Sequence, residues 1–307
     1  MSLVVTTNFN GSDAGQIFTD VFATGVMFNP QNATQLYTVN NKMSVSLLQD
    51  ATSGIVPYTC DFVEGDITIS DRTLNPEKFL FAKTFCKSTL WDMWISFVRA
   101  NNTNPNALMQ LDANNLESFV QFLLNHYGRQ ISSRIDEIIW KSTTGNPAAD
   151  LNIISGLREK MLADATVIDV PSAVAITAAT AKQAFEATLS LVPAGVLAQP
   201  DFAFYVNQKT MSQYLMSLTN PGLYGNAANG TITPLYLGYR VVVCNGVPDN
   251  TIVATHSSNL LIATNVSAVE LSVFDRTPIG EDKVGMRSQW VLDAHFISGE
   301  NVVLYTV

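Results

Sequence analysis

The stretch NNLESFVQFLLNHYGRQISSRIDEIIWKSTTG spaces Leu116, Phe119, Val120, Leu123, Tyr127, Ile131, Ile135, Ile138 and Ile139 three and four residues apart, the period of a helix with one apolar face. At 1.5 Å per residue this predicts a helix over 115–141, roughly 40 Å long. Average globular helices run about 10 to 14 residues, so this one exceeds what an ordinary domain holds. Gly145 and Pro147 supply its stop.

Around that helix the pattern is mixed. Residues 1–34 are rich in Asn, Thr, Gly and Ser, with one apolar patch at helical spacing, Ile17, Phe18, Val21 and Phe22; they read as an arm with a brief helix. A β-leaning stretch, 36–48, leads to QDATSGIVP, an exposed loop tip. YTCDFVEGDITISDRTL and KFLFAKTF then alternate as strands about the Asn75-Pro76 turn. Such an excursion buries little of itself and has to lie on something else. STLWDMWISFVRA reads as a capped helix. Downstream an Ala-rich helix covers about 178–192, DFAFYVN is a strand, and Asn207 can cap QKTMSQYLMSL. Six short strands, from RVVVC to VVLYT, finish the chain. The fold class is α+β with two compact regions.

Composition narrows the function. The 307 residues are 47% hydrophobic and only 14% charged, low for a monomer that covers its own surface with charge. A net charge of −9 argues against a sequence-independent grip on nucleic acid. Cys60, Cys86 and Cys244 are too scattered for a disulfide framework or a paired-cysteine metal site. The amino terminus lacks the pattern of a secretory signal, and no apolar run reaches the ~20 residues needed to span a bilayer, so a soluble intracellular product is expected.

Catalytic motifs are missing. There is no nucleophile elbow, Walker loop or zinc-binding helix. GLYGNAANG lies between a helix and a strand, the wrong order for a phosphate cradle. His126, His256 and His295 have no metal-ligand spacing. Glu281 and Asp282, with Asp275 nearby, sit in a Gly- and Pro-containing turn that reads as a solvated loop.

The carboxy-terminal third resembles the major capsid proteins of tailed bacteriophages, which share the Hong Kong 97 type fold with encapsulins. The resemblance runs through YVNQKTMSQYLMSL, NGTITPLYLGYRVVVCNGVPDNTIVATHSSNLLIATN, VELSVFDRTPIGEDKVGMRSQW and ENVVLYTV. Leu237-Gly238 and Val247-Pro248 fall where that family has a turn before an apical strand and a proline step after it. Arg240 departs from the family, many members of which carry proline there. The resemblance implies an N-arm over 1–34, an extended β loop over 35–87 and a peripheral domain over 88–170 whose spine helix is 115–141. An apical domain over 171–285 follows, and C-terminal strands, 286–307, return to the peripheral domain.

The function so implied is a structural one. The resemblance points to a non-enzymatic subunit that assembles into hexamers and pentamers of an icosahedral head enclosing double-stranded DNA. An encapsulin-like compartment is the alternative, and an unrecognised intracellular enzyme a more distant one. No catalytic, cofactor or metal residue is expected. Candidate inter-subunit contacts are Phe18, Phe22, Asp50, Thr52, Ile55, Tyr236 and Tyr239. The expected partners are further copies of the chain, separate scaffolding, portal and decoration proteins, and DNA held without specific binding; no membrane is involved. With Met1 at the start and no charged helical pre-segment, no fused scaffolding domain is expected. The expected location is the virion, assembled in the host cytoplasm. Removing 1–34 or 45–75 is expected to block assembly and leave a folded subunit.

Overall fold

The computed structural model describes residues 6–9, 25–37, 39, 41–50, 67–86, 88–89, 92, 127–128, 130–218, 235–265, 270–275 and 283–307. Its second half is organised by strand β7 (Phe202–Val206), the DFAFYV run of the sequence. Successive side chains of a strand point to opposite faces. Ala203 and Tyr205 therefore enter one core with the long helix, while Phe202, Phe204 and Val206 enter another with the Ala-rich helix. A strand buried on both faces has no polar alternation, which is why this run is apolar throughout.

The sheet containing β7 has the order β6-β14-β10-β7-β9-β8, where β6 is Ile168–Asp169, β8 Leu235–Tyr236, β9 Tyr239–Val243, β10 Ile252–His256 and β14 Val303–Tyr305. On one face lies the long helix, α1, helical at 127–128 and 130–141. It presents Ile131, Ile135, Ile138, Ile139 and Trp140, all buried, and ends just before Gly145, which takes φ 89°. Trp140 lies against Tyr205 with ring centroids 5.8 Å apart. Burying a large apolar side chain of this kind contributes about 1.5–3 kcal/mol. A short helix, α2 (Leu157–Ala163), adds Leu157 and Met161 to the same core. The opposite face is covered by α3 (Ala181–Leu191) and α5 (Gln208–Ser217), with the short α4 (Ala194–Leu197) between them. The predicted cap of α5 is present: the Asn207 side chain accepts the Thr210 N–H at 2.6 Å.

A second sheet runs along β13 (Lys283–Phe296). Strand β5 (Glu77–Cys86) pairs with it over ten residues, Lys283 opposite Cys86 and Leu292 opposite Glu77. β11 (Leu260–Thr264) and β12 (Glu270–Asp275) follow one another along β13 with the register shifted by three residues. β2 (Thr34–Leu36) and β1 (Thr6–Phe9) pair with β11 and β12 respectively. The inner face of β5 carries Phe79, Phe81 and Phe85, of which Phe81 and Phe85 meet Tyr127 of α1. β3 (Met43–Asp50) and β4 (Ile67–Leu74) form a two-stranded hairpin of their own, with Met43 opposite Leu74.

The pairing bears on three of the expected boundaries. Within the expected 1–34 arm, Met27, Phe28 and Ala33 are buried in the main core. Removing all of 1–34 would therefore cut into the fold. β5, within the expected 35–87 loop, is a strand of the second sheet, paired with β13 over ten residues. Residues 286–307 do not return as one unit: β13 stays in the second sheet, while β14 inserts beside β10 in the sheet of β7. The first half of the predicted long helix, 115–126, lies outside the described residues.

Candidate functional site

Two features outside the two sheet cores' own strands and helices are each held by specific contacts. The first is the β3–β4 hairpin. At its root Leu74 is fully buried with Val39, Leu261 and Ala263, and Val45 packs on them. Two residues back, Arg72 pairs with Asp164, donates to the Ile297 carbonyl at 3.3 Å and places its guanidinium 5.1 Å from the Phe296 ring centre. Just beyond Leu74, the Asn75 N–H donates to Asp293 Oδ2 at 2.7 Å. Asp293 is buried and is also paired with Lys160 at 2.8 Å. A buried carboxylate is tolerated only when charge and hydrogen bonds satisfy it, and here they also fix where the hairpin leaves the body. Burial acts to raise the Asp164 carboxyl, but bonds from Thr166 and the Arg72 charge hold it below its ordinary value.

The second feature is the segment 25–36, a strap across the body. A 3-10 turn at Val26–Phe28 offers its first N–H groups to Asp136 of α1, Val26 at 3.2 Å and Met27 at 3.3 Å. Burial pushes the Asp136 carboxyl up to about 6, against the pull of those two N–H groups. Further along, the Asn32 carbonyl accepts from the Tyr205 hydroxyl at 2.6 Å and the Gln31 carbonyl accepts from Arg240 at 2.5 Å. Arg240 thus holds the strap.

The expected contact residues fall into three groups. Tyr236 is buried and meets Phe185, Phe204 and Tyr214 at ring-centre distances of 5.0 to 5.7 Å. Tyr239 is half-buried, edge-on to Phe202 at 5.2 Å. Between them the chain reverses through Leu237 (φ 48°) and Gly238 (φ 87°), so the predicted Leu-Gly turn is a two-residue hairpin of the I′ kind. Leu237 is 73% exposed and Leu235 51%; an apolar residue ahead of a turn glycine is the signal in the sequence that points to Leu237. Asp50 ends β3 with its backbone alone described, and Phe18, Phe22, Thr52 and Ile55 lie outside the described residues.

Chemistry is sparse elsewhere. Asp201, Ser257, Ser258 and His256 converge, but Asp201 Oδ2 accepts from the Ser257 hydroxyl, the Ser258 hydroxyl (2.7 Å) and the Ser258 N–H (2.9 Å). The serine thus stands between acid and imidazole, with His256 Nδ1 2.8 Å from Ser258 Oγ. A nucleophile needs the base between itself and the acid, so this cluster fastens a 3-10 turn (Ser257–Asn259) and activates nothing. Burial pushes the Cys244 thiol up to about 12, the opposite of a reactive cysteine. Among the described residues no group of three or more His, Cys, Asp or Glu is placed to hold a metal, and no helix is long and apolar enough to cross a membrane. A groove of about 280 Å³ lies between β5 and α1, lined by Phe79, Phe81, Ile131 and Ile135 among others. Arg134 at its rim is committed to Asp150 at 2.6 Å and to Glu137.

No protein-family model and no curated protein sequence matches the chain. Solved structures do match in fold. The capsid of an empty GTA particle superposes with TM-score 0.58 at 14% identity, over 100% of this chain and 94% of the other. The procapsid of satellite phage P4, described with its size determination (Sid) protein, gives 0.57 at 12% identity, over 94% and 97%. A virus-like particle from Pyrococcus furiosus gives 0.52 at 8% identity, over 95% and 97%. From the strap to the last strand, this α+β chain has the fold of Hong Kong 97 type capsid subunits.

Proposed function

We propose that the chain is a major capsid protein, a structural and non-enzymatic subunit that builds hexamers and pentamers of an icosahedral phage head around double-stranded DNA. The observation that carries this reading is the likeness in fold over essentially the full length of shell subunits. The molecule itself supports it in kind. Its β3–β4 hairpin has a root fastened by Leu74, Asn75 and Arg72 and a blade that pairs only with itself among the described strands. Closed shells are built from repeated copies of such reaching contacts.

Under this reading 1–24 is the arm, 43–74 the loop laid over a neighbour, and the unit around β7 the apical region. Phe18, Phe22, Asp50, Thr52, Ile55 and Tyr239 are its inter-subunit contacts, with the buried Tyr236 paired opposite Tyr239. The location is the virion. The P4 procapsid is described with a size determination protein, and a separate assembly protein is proposed for this chain too, with portal and decoration proteins as further partners. The net charge of −9 fits a wall that does not grip its DNA.

The particle from Pyrococcus furiosus favours a second reading, a compartment for protein cargo. Electron microscopy with light-scattering mass on the expressed protein tests both. Closed shells support the common fold-level function, and nuclease-protected DNA in native particles selects the phage head over the cargo compartment. A protein that stays monomeric, alone and beside its assembly protein, overturns both.

A further inference from the structure

His295 lies at the root of the hairpin, and none of the contacts assigned to that root uses it. Its Nδ1 is 2.8 Å from the Phe296 nitrogen and 2.9 Å from the Phe296 carbonyl oxygen. The neighbouring Ile297 N–H bonds to Asn259 O across the ladder with β11. N–H directions alternate along an antiparallel strand, so the Phe296 N–H points away from β11, where it meets the imidazole. A neutral ring carrying its proton on Nε2 accepts that N–H. A protonated ring carries N–H on both nitrogens; it has to donate to the Phe296 carbonyl instead and leaves the Phe296 N–H facing a donor.

Phe296 and Ile297 are the two residues on which Arg72 rests, one through its ring and the other through its carbonyl. We propose that His295 is a proton-operated switch for the β3–β4 hairpin: protonation exchanges its partner on Phe296, disturbs the seat of Arg72 and frees the hairpin at its root. The charged groups acting on the ring are Lys160 from α2, Arg72 from β4 and Asp293 from β13. Asp164 is paired with Arg72, Asp293 with Lys160, and Leu261, opposite His295 on β11, carries no charge. A protonated His295 would add a third cation to two.

Burial, reinforced by the Lys160 charge, holds the imidazole down at about 4. A histidine lowered in the docked state binds more protons once released. Docking is therefore at full strength above about 6.5 and weakens as pH falls from there toward about 4.

The experiment uses the unassembled subunit, so its result is independent of the shell reading. Amide hydrogen exchange is followed in wild type and His295→Gln at pH 7.5 and 4.5, comparing the two proteins at equal pH so that the intrinsic rate cancels. Glutamine can accept the Phe296 N–H but does not titrate. At pH 4.5 the amides of 67–74 are expected to exchange at least about tenfold faster in wild type than in the variant, with agreement at pH 7.5 and no difference in 252–256 at either pH. An equal ratio at both pH values, or a difference that extends to 252–256, overturns the switch. If the variant fails to fold, NMR of the wild-type imidazole decides: a midpoint well below 6.5 that moves with the Phe296 amide sustains the proposal, and a midpoint at 6.5 or above ends it.

Discussion

The Tyr205 hydroxyl donates a 2.6 Å hydrogen bond to the Asn32 carbonyl, joining the central strand of one sheet to a strap 173 residues earlier in the chain. Tyr205 is fully buried, and burial pushes its phenol above the ordinary range, so it stays a donor. Tyr205→Phe keeps the ring against Trp140 and leaves the Asn32 carbonyl unpaired. The expected cost is about 1–2 kcal/mol, read as a lower denaturant midpoint with an unchanged slope. An unchanged midpoint would mean that the strap is not fastened there.

At the other end of the strap, Asp136 gives a pH signature. Its carboxyl is raised to about 6 from an ordinary 3.8, so the folded state binds more protons than the unfolded one between those values. Its contribution is fully present below about 3.8 and is lost as pH rises through about 6. Asp136→Asn keeps an acceptor for Val26 and Met27 but does not ionise. The variant is expected to gain on wild type from pH 4 to pH 6, by up to about 3 kcal/mol, with a constant difference above that. Thermal unfolding across this range checks it, and parallel curves would refute the assignment.

The strap and the hairpin root mark where the sequence stopped being legible. Strands β7, β10, β11 and β14, the cap at Asn207 and the Asn75-Pro76 turn all follow from local periodicity and turn chemistry. The polar composition of 1–34 reads as arm and gives no sign of the strap. Its attachment is made by Asp136, Tyr205 and Arg240, from three elements remote in sequence, and no local pattern announces such partners. The split of 286–307 is hidden for a related reason: β13 mixes polar and apolar residues and β14 is a short apolar run, and neither pattern says which sheet a strand joins. Arg72 is likewise unmarked, because its partner Ile297 lies 225 residues away.

Two glycines make a controlled pair. A Cβ on Gly246 would come 1.9 Å from the Asp136 carbonyl oxygen and 2.9 Å from Trp140, whereas one on Gly195 meets nothing within 4 Å. The first obstruction is backbone of α1 and cannot swing aside. Gly246→Ala is expected to cost more than about 3 kcal/mol, above the usual range for single changes. Gly195→Ala, in α4, is expected to gain about 0.5 kcal/mol by restricting the unfolded chain. Circular dichroism melts separate the two, and similar melting points would mean that α1 and the turn after β9 are not this close.

Leu237 is strained in its own right. It takes φ 48° ahead of Gly238 at 87°, and 73% of its surface is exposed. The left-handed conformation costs a bulky residue about 1–2 kcal/mol, and a turn of this kind prefers Asn-Gly. Leu237→Asn is therefore expected to stabilise the isolated subunit by about 0.5–1 kcal/mol. An exposed, strained leucine contributes nothing to the monomer, so its value under the shell reading lies between copies. The same variant should then form closed particles more slowly, measured by light scattering at matched concentration. A more stable subunit with slower assembly would place Leu237 in a contact between subunits. A more stable subunit with unaltered assembly would leave the turn as local strain and remove it from the assembly surface.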